Sequence, residues 1–359
     1  MLMYKMETSV PVKPIVNFQD VKDLVFDLYG FRVTQVEELN GYDDKNFHIT
    51  IKNDTDIRDI NSYSESECVL KIINALDSKN SQLFEEQSAL LLHLKGKGIL
   101  CPQPILTKDK LPFTKVKLIS GEHIVRLLKY INGSILYKVP CTPNLLRQAG
   151  EFVANLDDAL KDFRHDAYES HKHFWMLESV PSIRQLLFAV SDEERRKLIL
   201  NVVEKFEDRV LSVSNDLERG LIHGDFNEQN IIVDKEGDDW SIKAVIDFGD
   251  CHVACYLYEI AITMTYMILQ AKDLGAGGHV LAGYSSVRKL PDKEFSLLKV
   301  CVAARLCQSL VVGAYTNLQD PKNSYVLVTA AHGWKLLEDL WREPEENLLA
   351  RWKEISQSL

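Results

Sequence analysis

Two periodicities follow one another along this chain. In the first part the apolar positions come in short runs with a period of two. Residues 33–38, 46–52 and 67–73 alternate or cluster β-branched and apolar side chains between turn signals, which predicts three strands of a small antiparallel sheet. A helix is expected next, because Leu83, Ala89, Leu90 and Leu94 fall at roughly helical spacing, with Ser81 as its cap and Gly96 and Gly98 closing it. Pro102 and Pro104 open an extended segment, residues 122–130 have the pattern of a last strand, and Asn132-Gly133 marks a hinge. From Pro143 the period lengthens to that of amphipathic helices, over 145–160, 182–190, 193–213, 256–270, 293–315 and 324–341. The expected architecture is α+β and bilobal. A small antiparallel N-lobe covers residues 1–131, and a larger, mainly helical C-lobe covers 132–359, with a cleft between them.

One segment of the helical half breaks its period. Residues 231–233 and 242–246 are short apolar runs around the polar Asp234-Lys235-Glu236-Gly237-Asp238-Asp239, the signature of a β-hairpin. Its two ends carry unusual chemistry. His223-Gly224-Asp225-Phe226-Asn227-Glu228-Gln229-Asn230 leads into the first strand, and Asp247-Phe248-Gly249, 17 residues after Asn230, follows the second. Antiparallel pairing sets the start of one strand beside the end of the other, so Asn230 and Asp247 can meet on one Mg2+, which takes hard oxygen ligands. Asp225, on the loop feeding the same place, can orient an attacking alcohol and accept its proton. Base, amide and carboxylate at this spacing match the catalytic loop of a kinase and point to phosphoryl transfer.

Upstream, Lys71 interrupts the apolar strand Val69-Leu70-Lys71-Ile72, where an ammonium is costly without an anionic partner. Nucleotide phosphates and a glutamate of the following helix would provide it; Glu85 and Glu86 both qualify, with Glu85 favoured. The turn before the second strand, Gly41-Tyr42-Asp43-Asp44-Lys45-Asn46, stands where a kinase covers the phosphates. Only Gly41 frees its backbone, and Asp43-Asp44 would repel phosphate unless turned away, so contacts fall to Tyr42, Asn46 or backbone N–H groups. Backbone groups at Lys129, Tyr130 and Ile131 are expected to receive the purine base. His223 is read as a support of the loop, and Gly277-Gly278-His279 as a tight turn.

Composition narrows the field without choosing a substrate. The 359 residues carry a formal charge of -10, and no basic run exceeds Arg195-Arg196-Lys197, which argues against nucleic acid as a partner. Seven cysteines are scattered without metal-ligand spacing, as reduced thiols would be. The first 14 residues lack the apolar core of a secretory signal, so a cytoplasmic location is expected. The longest apolar stretch, 253–269, is short for a membrane span and holds Glu259 in its middle; a buried helix is expected there.

His223-Gly224-Asp225 with Asn230 and Ile246-Asp247-Phe248-Gly249-Asp250 resembles the aminoglycoside phosphotransferase and choline kinase superfamily. That resemblance implies a protein-kinase-like fold acting on small molecules. The direct run from Asp250 into the helix near Tyr256 agrees, since it leaves no activation segment for docking a polypeptide. A narrower resemblance, over about Asn17 to Trp341, is to the branch that phosphorylates hydroxylysine. It is carried by Gly41 to His48, Val125-Arg126-Leu127-Leu128, Glu259 to Thr263, Gly277 to Gly283 and Cys307 to Val311.

This narrower resemblance implies transfer of the GTP γ-phosphoryl group to the side-chain hydroxyl of 5-hydroxy-L-lysine; the residues themselves leave ATP and GTP open. Such a substrate carries two ammonium groups and a carboxylate. Asp250 and Glu259 are the candidates for the ammonium groups and Arg305 for the carboxylate. Rival readings are a choline, homoserine or aminoglycoside kinase, and a nucleotide-binding scaffold without activity. The joint presence of Lys71, Asp225, Asn230 and Asp247 argues against the scaffold.

Overall fold

The structure is a computed structural model that describes residues 13–41, 43–53, 65–319, 321 and 329–358. The chain divides into two compact units: residues up to Gly96 together with Cys101–Ile131, and Lys97–Leu100 together with Asn132–Leu359.

The first unit begins with a helix that the sequence pattern did not predict, α1 (Phe18–Tyr29). Its signal is local. Asn17 Oδ1 accepts hydrogen bonds from the Gln19 and Asp20 amides while Asp20 Oδ2 accepts from the Asn17 amide, a reciprocal capping box. Gly30, at φ 78°, ends it in the left-handed region that glycine enters without strain.

Strands β1 (Phe31–Leu39), β2 (Lys45–Asn53) and β3 (Ser66–Ile72) follow, then α2 (Ser81–Gly96) and the strands β4 (Pro104–Ile105), β5 (Thr114–Leu118) and β6 (Gly121–Lys129). The order is β1-β2-β3-β6, all antiparallel, with β4 and β5 sharing the outer edge of β6. Period two does its work here: Phe47, Ile49, Leu70, Ile72 and Leu127 are buried with Val21 and Val25 of α1. α2 is capped by Asn80, whose Oδ1 accepts from the Leu83 amide, one residue earlier than the expected Ser81.

The second unit opens with β7 (Ser134–Ile135), α3 (Pro143–Leu160) and α4 (Asp166–Ser170). Residues 182–189 of the helix expected over 182–190 belong to a 3-10 series over Leu177–Ala189 with Pro181 inside it, and Val190 ends it in extended conformation. α5 (Glu193–Arg209), β8 (Arg219–Ile222), the hairpin β9 (Ile231–Glu236) and β10 (Asp239–Val245), and β11 (His252–Cys255) come next. The hairpin ladder runs further into its polar residues than expected, and Gly237, at φ 65°, makes the turn. The C-terminal part is helical: α6 (Tyr256–Ala271), α7 (Ala276–Val287), α8 (Asp292–Phe295), α9 (Leu298–Gln319), α10 (Ala330–Arg342) and α11 (Glu345–Gln357).

Two further expectations need correcting, and a third falls partly outside the described residues. The single helix over 293–315 is two, α8 and α9, with a break at Ser296-Leu297. The beginning of the helix expected over 324–341 lies outside the described residues. Gly277-Gly278-His279 is no turn but the first turn of α7. A Cβ on Gly277 would sit 2.8 Å from Trp352 Nε1, and one on Gly278 2.7 Å from Ile355 Cβ, so these glycines serve the close packing of α7 against α11. α9 is long and apolar enough by composition to cross a membrane. However, 89% of its apolar window is buried inside the protein, as in a core helix.

α3 and α7 cross at backbone contact. A Cβ on Gly283 would lie 1.7 Å from Arg147 O, and one on Gly150 1.9 Å from Val280 O. No rotamer relieves a clash with a carbonyl, so Gly283→Ala forces the helices apart and should cost about 3 kcal/mol or more. All five tryptophans lie in this second unit, so a lowered urea midpoint by tryptophan fluorescence checks the expectation directly.

Candidate active site

β8 delivers His223, Gly224 and Asp225 to the end of the strand. Gly224 is at φ 77°, and an added Cβ would meet Asp250 O at 2.6 Å, so the chain passes there only as glycine. The His223 ring is fully buried. Its Nε2 lies 3.1 Å from Ile246 O and its Nδ1 3.3 Å from the Asp225 amide, an arrangement that suits the neutral tautomer with the proton on Nε2. Burial pushes its pKa down to about 4. With its edge against Phe248 at 4.8 Å, the ring ties the loop to the Asp247-Phe248-Gly249 segment, and its Nε2 proton is committed to Ile246 O.

Asp225 is held on both oxygens. Oδ2 accepts from Asn227 Nδ2 and Asn230 Nδ2, each at 2.9 Å, and Oδ1 accepts from Arg305 Nη2 at 2.9 Å. The Asn230 amide also donates to Asp225 O at 3.0 Å, which fixes its orientation and turns its Oδ1 away from Asp225. Burial lifts the Asp225 carboxyl above its usual range, and the Arg305 guanidinium pulls it back. Such a group is anchored yet basic, as a residue that orients a hydroxyl needs to be.

The hairpin brings the other two residues to the same end. The Ile246 amide donates to Asn230 O at 2.8 Å, so Asn230 and Asp247 leave neighbouring strands side by side. Asp247 sits at φ 61°, ψ 76°, a conformation that costs a non-glycine residue about 1 kcal/mol or more. Strain of this kind persists where the surrounding structure fixes a side chain in a chosen direction. An amide oxygen and a carboxylate at one hairpin end are hard donors of the kind Mg2+ takes, so Asn230 and Asp247 fit that ion.

Two residues expected to face the substrate face the loop instead. Arg305, 1% exposed on α9, donates to Tyr266 Oη, Trp175 O, Gln308 Oε1 and Asp225 Oδ1. Four of its donors are thus engaged inside the protein, which leaves it anchoring Asp225 and not receiving a carboxylate. Glu259, 0% exposed on α6, accepts the His223 amide at 3.2 Å on one oxygen and the Gly224 amide at 2.9 Å on the other. Both acceptors are spent bracing the loop, and burial raises its carboxyl. Asp250 differs: it is partly exposed, with Oδ1 3.7 Å from His173 Nδ1.

The first unit carries the remaining candidates. Asn46, Lys71 and Arg126 are opposite one another on β2, β3 and β6, a row on one face of the sheet, and Lys71 is 9% exposed. α2 covers that face, with Gln87 Oε1 accepting from Arg126 Nη1 at 2.8 Å. The preference for Glu85 is reversed by burial: Glu85 is exposed and Glu86 fully buried, so Glu86 is the carboxylate on the protein side of the helix. Asp44 accepts from the Asn74 amide and side chain and so turns away from the loop's rim, while Asn46 Nδ2 closes the turn onto Asn40 O. Tyr42 lies outside the described residues. The Lys129 and Tyr130 amides are engaged by Gln103 O and Glu67 O, so of that trio Ile131 is the better donor for a base.

A model of the phosphotransferase enzyme family matches residues 38–290. The chain is 33% identical to hydroxylysine kinase of Bos taurus, over 98% of this chain and 96% of that protein. Among solved structures, a microcompartment-associated aminopropanol kinase superposes with a TM-score of 0.69 at 18% identity, covering 90% of this chain and 97% of that one. An amicoumacin kinase solved in complex with AMP-PNP, Ca2+ and Ami gives 0.66 at 17%, covering 93% and 97%. The structural likenesses establish the protein-kinase-like fold, and the sequence likeness extends from end to end of both chains. On that ground the chain belongs to the phosphotransferase enzyme family, in its hydroxylysine kinase branch.

Proposed function

We propose that this protein transfers the γ-phosphoryl group of GTP to the side-chain hydroxyl of 5-hydroxy-L-lysine, giving 5-phosphooxy-L-lysine, in the cytoplasmic breakdown of hydroxylysine. The reaction class rests above all on Asp225, a carboxylate gripped by Arg305, Asn227 and Asn230 beside the strained Asp247. The substrate rests on the likeness to the bovine enzyme.

In this reading Asp225 orients the 5-hydroxyl for attack and takes its proton as the new phosphate ester forms. Asn230 and Asp247 would hold Mg2+, which neutralises charge on the transferring phosphoryl group. Lys71, steadied by Glu86, holds the nucleotide phosphates, and Ile131 receives the purine. Asp250 is the candidate for one substrate ammonium group. The AMP-PNP and Ca2+ in the amicoumacin kinase are consistent with a nucleotide and a divalent ion here.

Nucleotide consumption with 5-hydroxylysine against lysine tests the reading, since lysine differs only by the acceptor oxygen. Turnover is expected with hydroxylysine alone, and faster with GTP than with ATP. Equal consumption with both amino acids, or turnover only with homoserine or choline, would overturn the substrate.

A further inference from the structure

Glu228 lies three residues after Asp225 on the same loop, and nothing said so far uses its side chain. Its backbone is pinned, with the carbonyl accepting from the Tyr137 amide at 3.0 Å. Its Oε2 is buried and has no hydrogen-bond partner among the described residues. A carboxylate oxygen left so is costly, because water is lost there and only the residue's own amide and the Gln229 side chain act on the rest of the carboxyl. Glu228 also lines a cavity of about 290 Å3 within the second unit, shared with Tyr137, Leu269, Gln270, Lys272 and His332.

From this we infer that Glu228 is the specificity-determining carboxylate for the substrate's side-chain ammonium group, acting in the reaction proposed above. In 5-hydroxylysine the reacting oxygen is on C5 and the side-chain ammonium on C6, the neighbouring carbon. A molecule whose hydroxyl sits on Asp225 therefore carries its ammonium one carbon further along, and a second carboxylate on the same tight loop is what such a vicinal amino alcohol requires. The ammonium supplies the charged donor that Oε2 lacks. Asp250 then remains for the other ammonium, at the far end of the molecule.

The experiment compares two acceptors, 5-hydroxylysine and 2-amino-5-hydroxyhexanoic acid, which has the same hydroxyl and no side-chain ammonium. In the unmodified protein kcat/KM is expected to favour hydroxylysine by about 100-fold or more, because a site built for a charged group rejects an acceptor without it. Glu228→Gln, close to isosteric, should lower hydroxylysine turnover until the two acceptors lie within about threefold, with the analogue hardly changed and the nucleotide KM unaffected. Glu228→Asp, which keeps the charge one methylene further back, should recover part of the preference. A parallel loss on both acceptors means that Glu228 only supports the loop, and overturns the inference while leaving the proposed reaction intact. No turnover of hydroxylysine by the unmodified protein removes that reaction, and the inference with it.

Discussion

Asp225→Asn is expected to lower kcat by about 1,000-fold while nucleotide affinity stays within about threefold. The asparagine has the same shape, and its amide oxygen can still accept from Arg305 where Asp225 Oδ1 does now. What it loses is basicity, together with the acceptor for Asn227 and Asn230 on the other side. Asp225→Ala is the less informative variant. It leaves the buried Arg305 guanidinium without its carboxylate, bonded only to the neutral acceptors of Tyr266, Trp175 and Gln308, and breaking a buried pair in this way costs about 3–5 kcal/mol of stability. The two substitutions thus separate chemistry from packing: both cut transfer by about 1,000-fold or more, but only the alanine should lower the melting temperature substantially. Single-turnover phosphoryl transfer, nucleotide titration and thermal melts on each variant measure the three quantities. Turnover by Asp225→Asn within tenfold of the parent protein would remove Asp225 from the role of base.

Local chemistry made the catalytic segment legible. A hairpin flanked by Asp225, Asn230 and Asp247 follows from turn residues and β-branched runs close together in sequence, and the structure joins its ends through the Ile246 amide and Asn230 O. Arg305 and Glu259 are legible as buried charges, but their partners are not, for one physical reason. A buried charge satisfies the same rule whether its partner is a ligand or the protein, and pairings 80 and 35 residues apart are set by how α9 and α6 pack, which no spacing reports. Glu259 did carry a usable signal, because an acid inside an apolar helix needs a fixed internal donor, and two loop amides meet that need. The glycines of α7 misled for a similar reason. Without a neighbour in view, Gly277-Gly278 marks a turn; against Trp352 and Ile355 it marks close packing. α1 was missed because its evidence lay in the cap, Asn17 and Asp20, and not in its apolar period.

Arg305 offers the sharper test of how far this catalytic loop is organised from outside itself. Its guanidinium joins Asp225 to Trp175 O, Tyr266 and Gln308, so the loop carboxylate is registered against α6, α9 and the segment before the 3-10 series. Arg305→Met keeps the apolar stem and removes all four bonds. The expected result is a fall in kcat of about 100-fold with the hydroxylysine KM changed less than threefold, since Asp225 loses its orientation rather than the substrate its binding partner. A residue that received the substrate carboxylate would behave the other way, raising KM and largely sparing kcat. Arg305→Lys restores a charge opposite Asp225 but cannot fork to three further acceptors, so it should recover only part of the rate. Because both residues act on one group, Asp225→Asn combined with Arg305→Met should be little slower than Asp225→Asn alone. Full additivity of the two losses would mean that Arg305 acts on the reaction through something other than Asp225.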